Sequence, residues 1–76
     1  SRSKHLILKD GSLYININGS ANPAILEKLK LALEKNAGGK KVYFRLLTGS
    51  GERLLETDFK VDYNNILIKE IDSILN

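Results

Sequence analysis

The feature that most limits the fold is the stretch Lys40-Lys41-Val42-Tyr43-Phe44-Arg45-Leu46-Leu47, just past the middle of the chain. Its residues alternate in character. A strand here puts Val42, Phe44 and Leu46 on one side and Lys41, Tyr43, Arg45 and Leu47 on the other. The first set suits a core. The second set is amphipathic, unlike a plain solvent-facing surface. Gly38-Gly39 precedes the stretch and Gly49-Ser50-Gly51 follows it, so turn chemistry bounds the strand on both sides. The rest of the chain has to supply cover for one face of this strand.

Upstream, His5 to Lys9 and Leu13 to Ile17 read as two short strands around Asp10-Gly11. A two-residue Asp-Gly between alternating runs predicts a hairpin, because a type I′ turn needs positive φ at both positions. Leu6 and Leu8 share one face of the first strand. Leu13, Ile15 and Ile17 face the core from the second, and Tyr14 and Asn16 face away. Asn18-Gly19-Ser20 ends this strand. Asn22 then caps a helix whose first position is Pro23, where the missing N–H costs nothing. Ile25, Leu26, Leu29, Ala32 and Leu33 form its apolar stripe, Leu31 falls off that stripe, and Gly38 or Gly39 is expected as the left-handed C-terminal cap.

Downstream of the central strand, Glu52 to Val61 reads as its hairpin partner. Leu54 and Leu55 put a leucine on each face, which predicts a bulge or break near Glu56 to Asp58. Asp62 or Asn64 caps a last helix from about Asn64 to Leu75, with Leu67, Ile68, Ile71, Ile74 and Leu75 as its stripe. The two stripes repeat 42 residues apart; two helices packed on one sheet share such a pattern without any duplication.

The order β-β-α-β-β-α predicts an α+β fold: a two-layer sandwich of a small mixed sheet with both helices on one face. The sheet's other face is then open and carries Tyr14, Asn16, Lys41, Tyr43, Arg45 and Leu47, with Leu54 beside them. With 76 residues and no cysteine, the chain supports one domain held by packing alone. Ser1 to Lys4 reads as a linker end or junction with an upstream segment, and 5–76 as a single C-terminal interaction domain. The lack of an initiating methionine fits a piece of a longer protein. No run approaches the roughly 18 apolar residues of a membrane span. No signal peptide is present, so a cytoplasmic location is expected.

The chemistry of catalysis is missing. There is no phosphate loop, no nucleophile elbow, no HExxH and a single histidine, His5, expected as a solvated strand residue. The carboxylates Glu56, Asp58 and Asp62 are ordinary surface acids. No catalytic, cofactor-binding or metal-binding residue is expected, and no small-molecule substrate or membrane partner. Net charge is +3 but uneven, with nine Lys/Arg against three Asp/Glu up to Arg45 and three against six after it. The open face fits three uses. Its aromatics can stack bases beside Arg and Lys. It can bind a protein, for which Tyr and Arg are enriched. Or Tyr14 and Tyr43 simply pair across neighbouring strands.

Five segments carry a family resemblance: Leu13-Tyr14-Ile15-Asn16-Ile17; Ile25-Leu26-x-x-Leu29 running to Leu33; Asn36-Ala37-Gly38-Gly39-Lys40-Lys41-Val42-Tyr43-Phe44; Phe59-x-Val61-Asp62; and Leu67-Ile68-x-x-Ile71-x-x-Ile74-Leu75. Together they resemble the extreme C-terminal domain of the bacterial replicative DNA polymerase III alpha subunit. The family's usual proline before the valine is replaced here by Lys41. The resemblance implies a non-catalytic domain of a DNA-directed DNA polymerase whose active-site carboxylates lie far upstream. It implies a role in DNA replication by binding the tau subunit of the clamp loader, or a neighbouring polymerase domain. It transfers packing positions and no contact residue. The alternative from a different class is a single-stranded nucleic-acid-binding module that stacks bases on Tyr14 and Tyr43 and meets phosphates with Lys40, Lys41 and Arg45. It resembles an RNA-recognition motif in outline only, since that fold needs a further strand after its second helix.

Overall fold

The computed structural model describes residues 5–18 and 22–75. The expected linker end at 1–4, the Gly19-Ser20 part of the strand terminus and Asn76 lie outside the described residues. The elements follow in the expected order: β1 (Leu6–Lys9), β2 (Ser12–Asn18), α1 (Pro23–Lys35), β3 (Ala37–Thr48), β4 (Gly51–Val61) and α2 (Asn65–Leu75). They make one mixed four-stranded sheet in the order β1-β2-β3-β4. The outer pairs are antiparallel and the central pair, β2 with β3, is parallel. The parallel pair follows from the helix between them, since parallel neighbours need a crossover rather than a tight turn.

Local chemistry accounts for each element. Asp10 and Gly11 have φ of 52° and 77°, the pair of positive values that joins β1 to β2. The Asn22 side chain accepts a hydrogen bond from the Ile25 N–H at 2.9 Å, with Pro23 at the first helical position. Asn64 does the same for α2, accepting from Leu67 N–H at 2.9 Å. Leu13, Ile15, Ile17, Val42 and Phe44 on the sheet meet Leu29, Leu33, Leu67 and Ile71 from the helices in a single core. Every strand residue expected on the core side of β2 and β3 is buried there or packed against it.

Two expectations need correction. Neither Gly38 nor Gly39 is a left-handed cap; among the described glycines only Gly11 and Gly51 have positive φ. The end of α1 is closed by Asn36 instead. Its backbone N–H donates to Leu33 O and its side-chain amide donates to Ala32 O at 2.8 Å, satisfying carbonyls a glycine cap would otherwise serve. The chain therefore enters β3 at once. Gly38 is needed for another reason: a Cβ there would run into the backbone of Val61 and Asp62. His5 is buried, not solvated, and its carbonyl extends the β1–β2 ladder by accepting Asn16 N–H at 2.8 Å. Leu8 does share a face with Leu6, yet 47% of it remains exposed while Leu6 lies in the core.

The bulge falls close to the expected Glu56 to Asp58, although it leaves Leu54 and Leu55 on opposite faces. Tyr43 pairs with Glu56 and Lys41 with Lys60, so Thr57, Asp58 and Phe59 stand opposite Val42 alone. Thr57 closes the gap: its Oγ1 donates to Val42 O at 2.8 Å and accepts from Phe59 N–H at 3.2 Å. Two extra residues equal one side-chain period, so the faces of β4 stay in phase across the bulge. Leu55 and Val61 remain on the helix side, and Glu52, Leu54, Glu56 and Lys60 on the open side.

Candidate functional site

The register brings all six expected residues onto one face. Tyr14 lies opposite Tyr43 and Asn16 opposite Arg45 across the parallel β2–β3 ladder, with Lys41 and Leu47 two residues to either side on β3. Ile7 on β1 and Glu56 on β4 continue the tyrosine row, and Leu54 continues the arginine row. The six are half-buried by one another, and no helix covers them.

Within this face the side chains are already matched. The Tyr14 and Tyr43 rings stack with centroids 5.0 Å apart and planes 14° from parallel. Such a pair contributes about 0.5–1.5 kcal/mol beyond area burial. The Lys41 ammonium sits 5.6 Å from the Tyr43 ring centroid and is ion-paired with Glu56. The hydrogen bond to Glu56 holds its pKa above the ordinary lysine value. Arg45 reaches the carboxylate of Glu52 with two nitrogens, at 3.0 and 3.2 Å, and donates to Asn16 Oδ1 at 3.2 Å. The Arg45 hydrogen bonds in turn hold the Glu52 carboxyl below the ordinary glutamate range.

This geometry weighs on the uses the sequence leaves open. Stacked on each other, the two tyrosines cover one ring face apiece, so they form a cross-strand pair instead of a flat platform for bases. Lys41 and Arg45 spend their charge on β4 glutamates. Lys9 and Lys60, in the row of Ser12 and Lys41, are cations on the same side without an ion pair among the described residues. Ile7, Tyr14, Arg45, Glu52 and Leu54 line a shallow concavity over the middle of the face. Lys40, the other cation assigned to phosphates, has the face parity of Val42 and so lies on the helix side.

A second concavity lies on the other side of the sheet. Leu26 of α1 and Phe44, Leu46, Leu55 and Phe59 of the β3–β4 hairpin line an apolar pocket of about 630 Å³, rimmed by Lys30, Glu56 and Asp58. Sequence reasoning missed it. The signal was the apolar parity of Leu46 and Leu55 on a stretch of hairpin that α1 leaves uncovered. Neither concavity holds a histidine, cysteine or nucleophile–base pair. Among the described residues no group of three or more His, Cys, Asp or Glu side chains could hold a metal, and no helix is long and apolar enough to cross a membrane.

Comparison with protein-family models, with curated proteins and with solved structures gives no match.

Proposed function

We propose that this chain is a non-catalytic interaction domain that binds a protein through the open sheet face. The reading extends to its parent: the C-terminal domain of a bacterial replicative DNA polymerase III alpha subunit, holding that cytoplasmic enzyme to the tau subunit of the clamp loader. The observation that carries the binding mode is the internal pairing of the face. Its central cations, Lys41 and Arg45, are neutralised by Glu56 and Glu52, and its aromatics are stacked, which leaves a mixed surface of Tyr, Arg, Leu and Ile. That composition matches a protein interface, in which aromatic and arginine anchors supply affinity and surrounding charges supply orientation. The parent and the partner rest on the resemblance of the five quoted segments.

One observation favours the nucleic-acid reading: Lys9 and Lys60, at one end of the face, have no ion pair among the described residues. A single titration separates the two. The isotope-labelled chain is mixed with a C-terminal fragment of tau and, separately, with a short oligo-dT strand, while amide shifts are followed. Saturable shifts on Tyr14, Tyr43, Arg45 and Leu47 with tau, changing little with salt, support the polymerase tether. Shifts on the same residues with DNA that vanish as salt rises would replace it, because phosphate binding releases counterions. Silence from both on this face removes the sheet as the site.

A further inference from the structure

The outer surface of the helix layer carries a feature that sheet-face binding does not use. Leu31 falls off the core stripe of α1 and is 55% exposed, and Ile66 at the start of α2 is 69% exposed. They are the two most exposed large apolar residues among those described. Leu31 lies in a groove between the two helices with Ile74, flanked by Lys28 and Lys35 on α1 and Lys69 and Glu70 on α2. Ile66 stands three and seven positions before Lys69 and Ser73, so it continues the α2 wall of that groove.

The groove is net positive. Three lysines stand against one glutamate, and Glu70 is already ion-paired with Lys35 at 2.5 Å. Among the described residues Lys28 and Lys69 make no ion pair. Glu27 and Glu34 lie on the far shoulder of Leu31, away from α2, by the 100° advance per residue. The shape is equally definite. Lys28, Leu31 and Lys35 span two turns of α1, about 10 Å at 1.5 Å per residue. The depression between two side-by-side helices accepts a third along the same direction.

We propose that the α1–α2 groove is a second docking surface, whose occupant is an acidic amphipathic helix of a partner protein. Its apolar residues cover Leu31, Ile74 and Ile66, and its carboxylates meet Lys28 and Lys69. This surface lies across the helix layer from the open sheet face and does not depend on what that face binds.

The test uses two synthetic fifteen-residue helices with leucines at positions i, i+4, i+7 and i+11. One carries glutamates at the flanking positions and the other lysines. Each is titrated into the isotope-labelled chain and into the Lys28→Glu, Lys69→Glu double variant, with oligo-dT as a third probe. The acidic helix should give saturable shifts at Leu31, Ser73 and Ile74 that weaken with salt. The lysine helix should not bind the native chain. The double variant should lose the acidic helix by more than about tenfold and gain the lysine helix, because like charges are then juxtaposed with the first and opposite charges with the second. Both substitutions are at exposed positions, and unchanged core resonances verify the fold. Leu31→Ser supplies a variant without charge change and should weaken the acidic helix as well. No saturable binding of the acidic helix, binding unaltered by charge reversal, shifts centred on the sheet face, or tighter binding of oligo-dT at the groove would each overturn the proposal.

Discussion

The two faces of β3 are built by opposite means from one alternating stretch. On the covered face, Val42 and Phe44 meet hydrocarbon from both helices, and what holds them is area removed from water. On the open face, Lys41, Tyr43 and Arg45 are each matched by a neighbour across the sheet, namely Glu56, Tyr14 and Glu52. Exposed ion pairs such as Lys41–Glu56 and Arg45–Glu52 contribute little to stability, because solvent screens them. The difference teaches where to look for function. The covered face sets whether the domain exists. The open face is organised well beyond what its small stabilising contribution would explain.

The comparison breaks most visibly on the covered side. Ile15→Ala removes a fully buried side chain and should cost about 2–5 kcal/mol, a large share of the stability of so small a domain. Urea unfolding followed by circular dichroism measures it. A loss below about 1 kcal/mol would mean that the core collapses around the cavity more readily than its packing suggests.

Gly38→Ala follows, with a cost of about 1–3 kcal/mol from forced displacement of the Val61–Asp62 backbone. Gly39→Ala is the control, since nothing lies within 4 Å of a Cβ there. A matched loss in the two variants would rule out close approach at Val61 as the cause, since strand propensity by itself favours alanine over glycine.

Tyr43→Ala tests the open side. Loss of the stacked ring should lower stability by only about 1 kcal/mol. If the sheet face is the docking surface, the same substitution should lower partner affinity by a larger factor, since buried aromatic anchors dominate interfaces. Comparable small effects on both would reduce the tyrosine pair to cross-strand packing.

How much of this was legible in the sequence follows the same division. The covered face was readable because burial imposes periodicity: Leu13, Ile15, Ile17, Val42 and the two helical stripes needed only their spacing. The Asp10-Gly11 hairpin and the asparagine caps were readable because their chemistry is local. Gly38-Gly39 was misread because a glycine pair after a helix suits a cap, while the deciding contact lies more than twenty residues away at Val61. The six open-face residues were found by parity alone, and so was the Tyr14–Tyr43 pairing. The glutamate partners of Lys41 and Arg45 were not, because placing Glu52 and Glu56 requires the β3–β4 register, which the turn between Thr48 and Gly51 sets and the strand pattern alone does not. The pocket under Leu55 was missed since its existence depends on where α1 stops covering the hairpin.

The smallest expected effect is also the sharpest probe of the open face. Glu52 titrates below its ordinary value of 4.5 because Arg45 hydrogen-bonds its charged form. A carboxylate whose pKa is depressed on folding stabilises the native state above its unfolded pKa. That contribution is lost as pH falls through the lower, folded value. Arg45→Gln should therefore move the Glu52 carboxyl titration, read by carbon-detected NMR, upward toward 4.5, while thermal stability at neutral pH barely changes because the pair is exposed. An unmoved titration would mean that Arg45 is not held on β4. Its guanidinium would then join Lys9 and Lys60 as unspent charge on this face, and the balance between a protein partner and a phosphate backbone would shift toward the second.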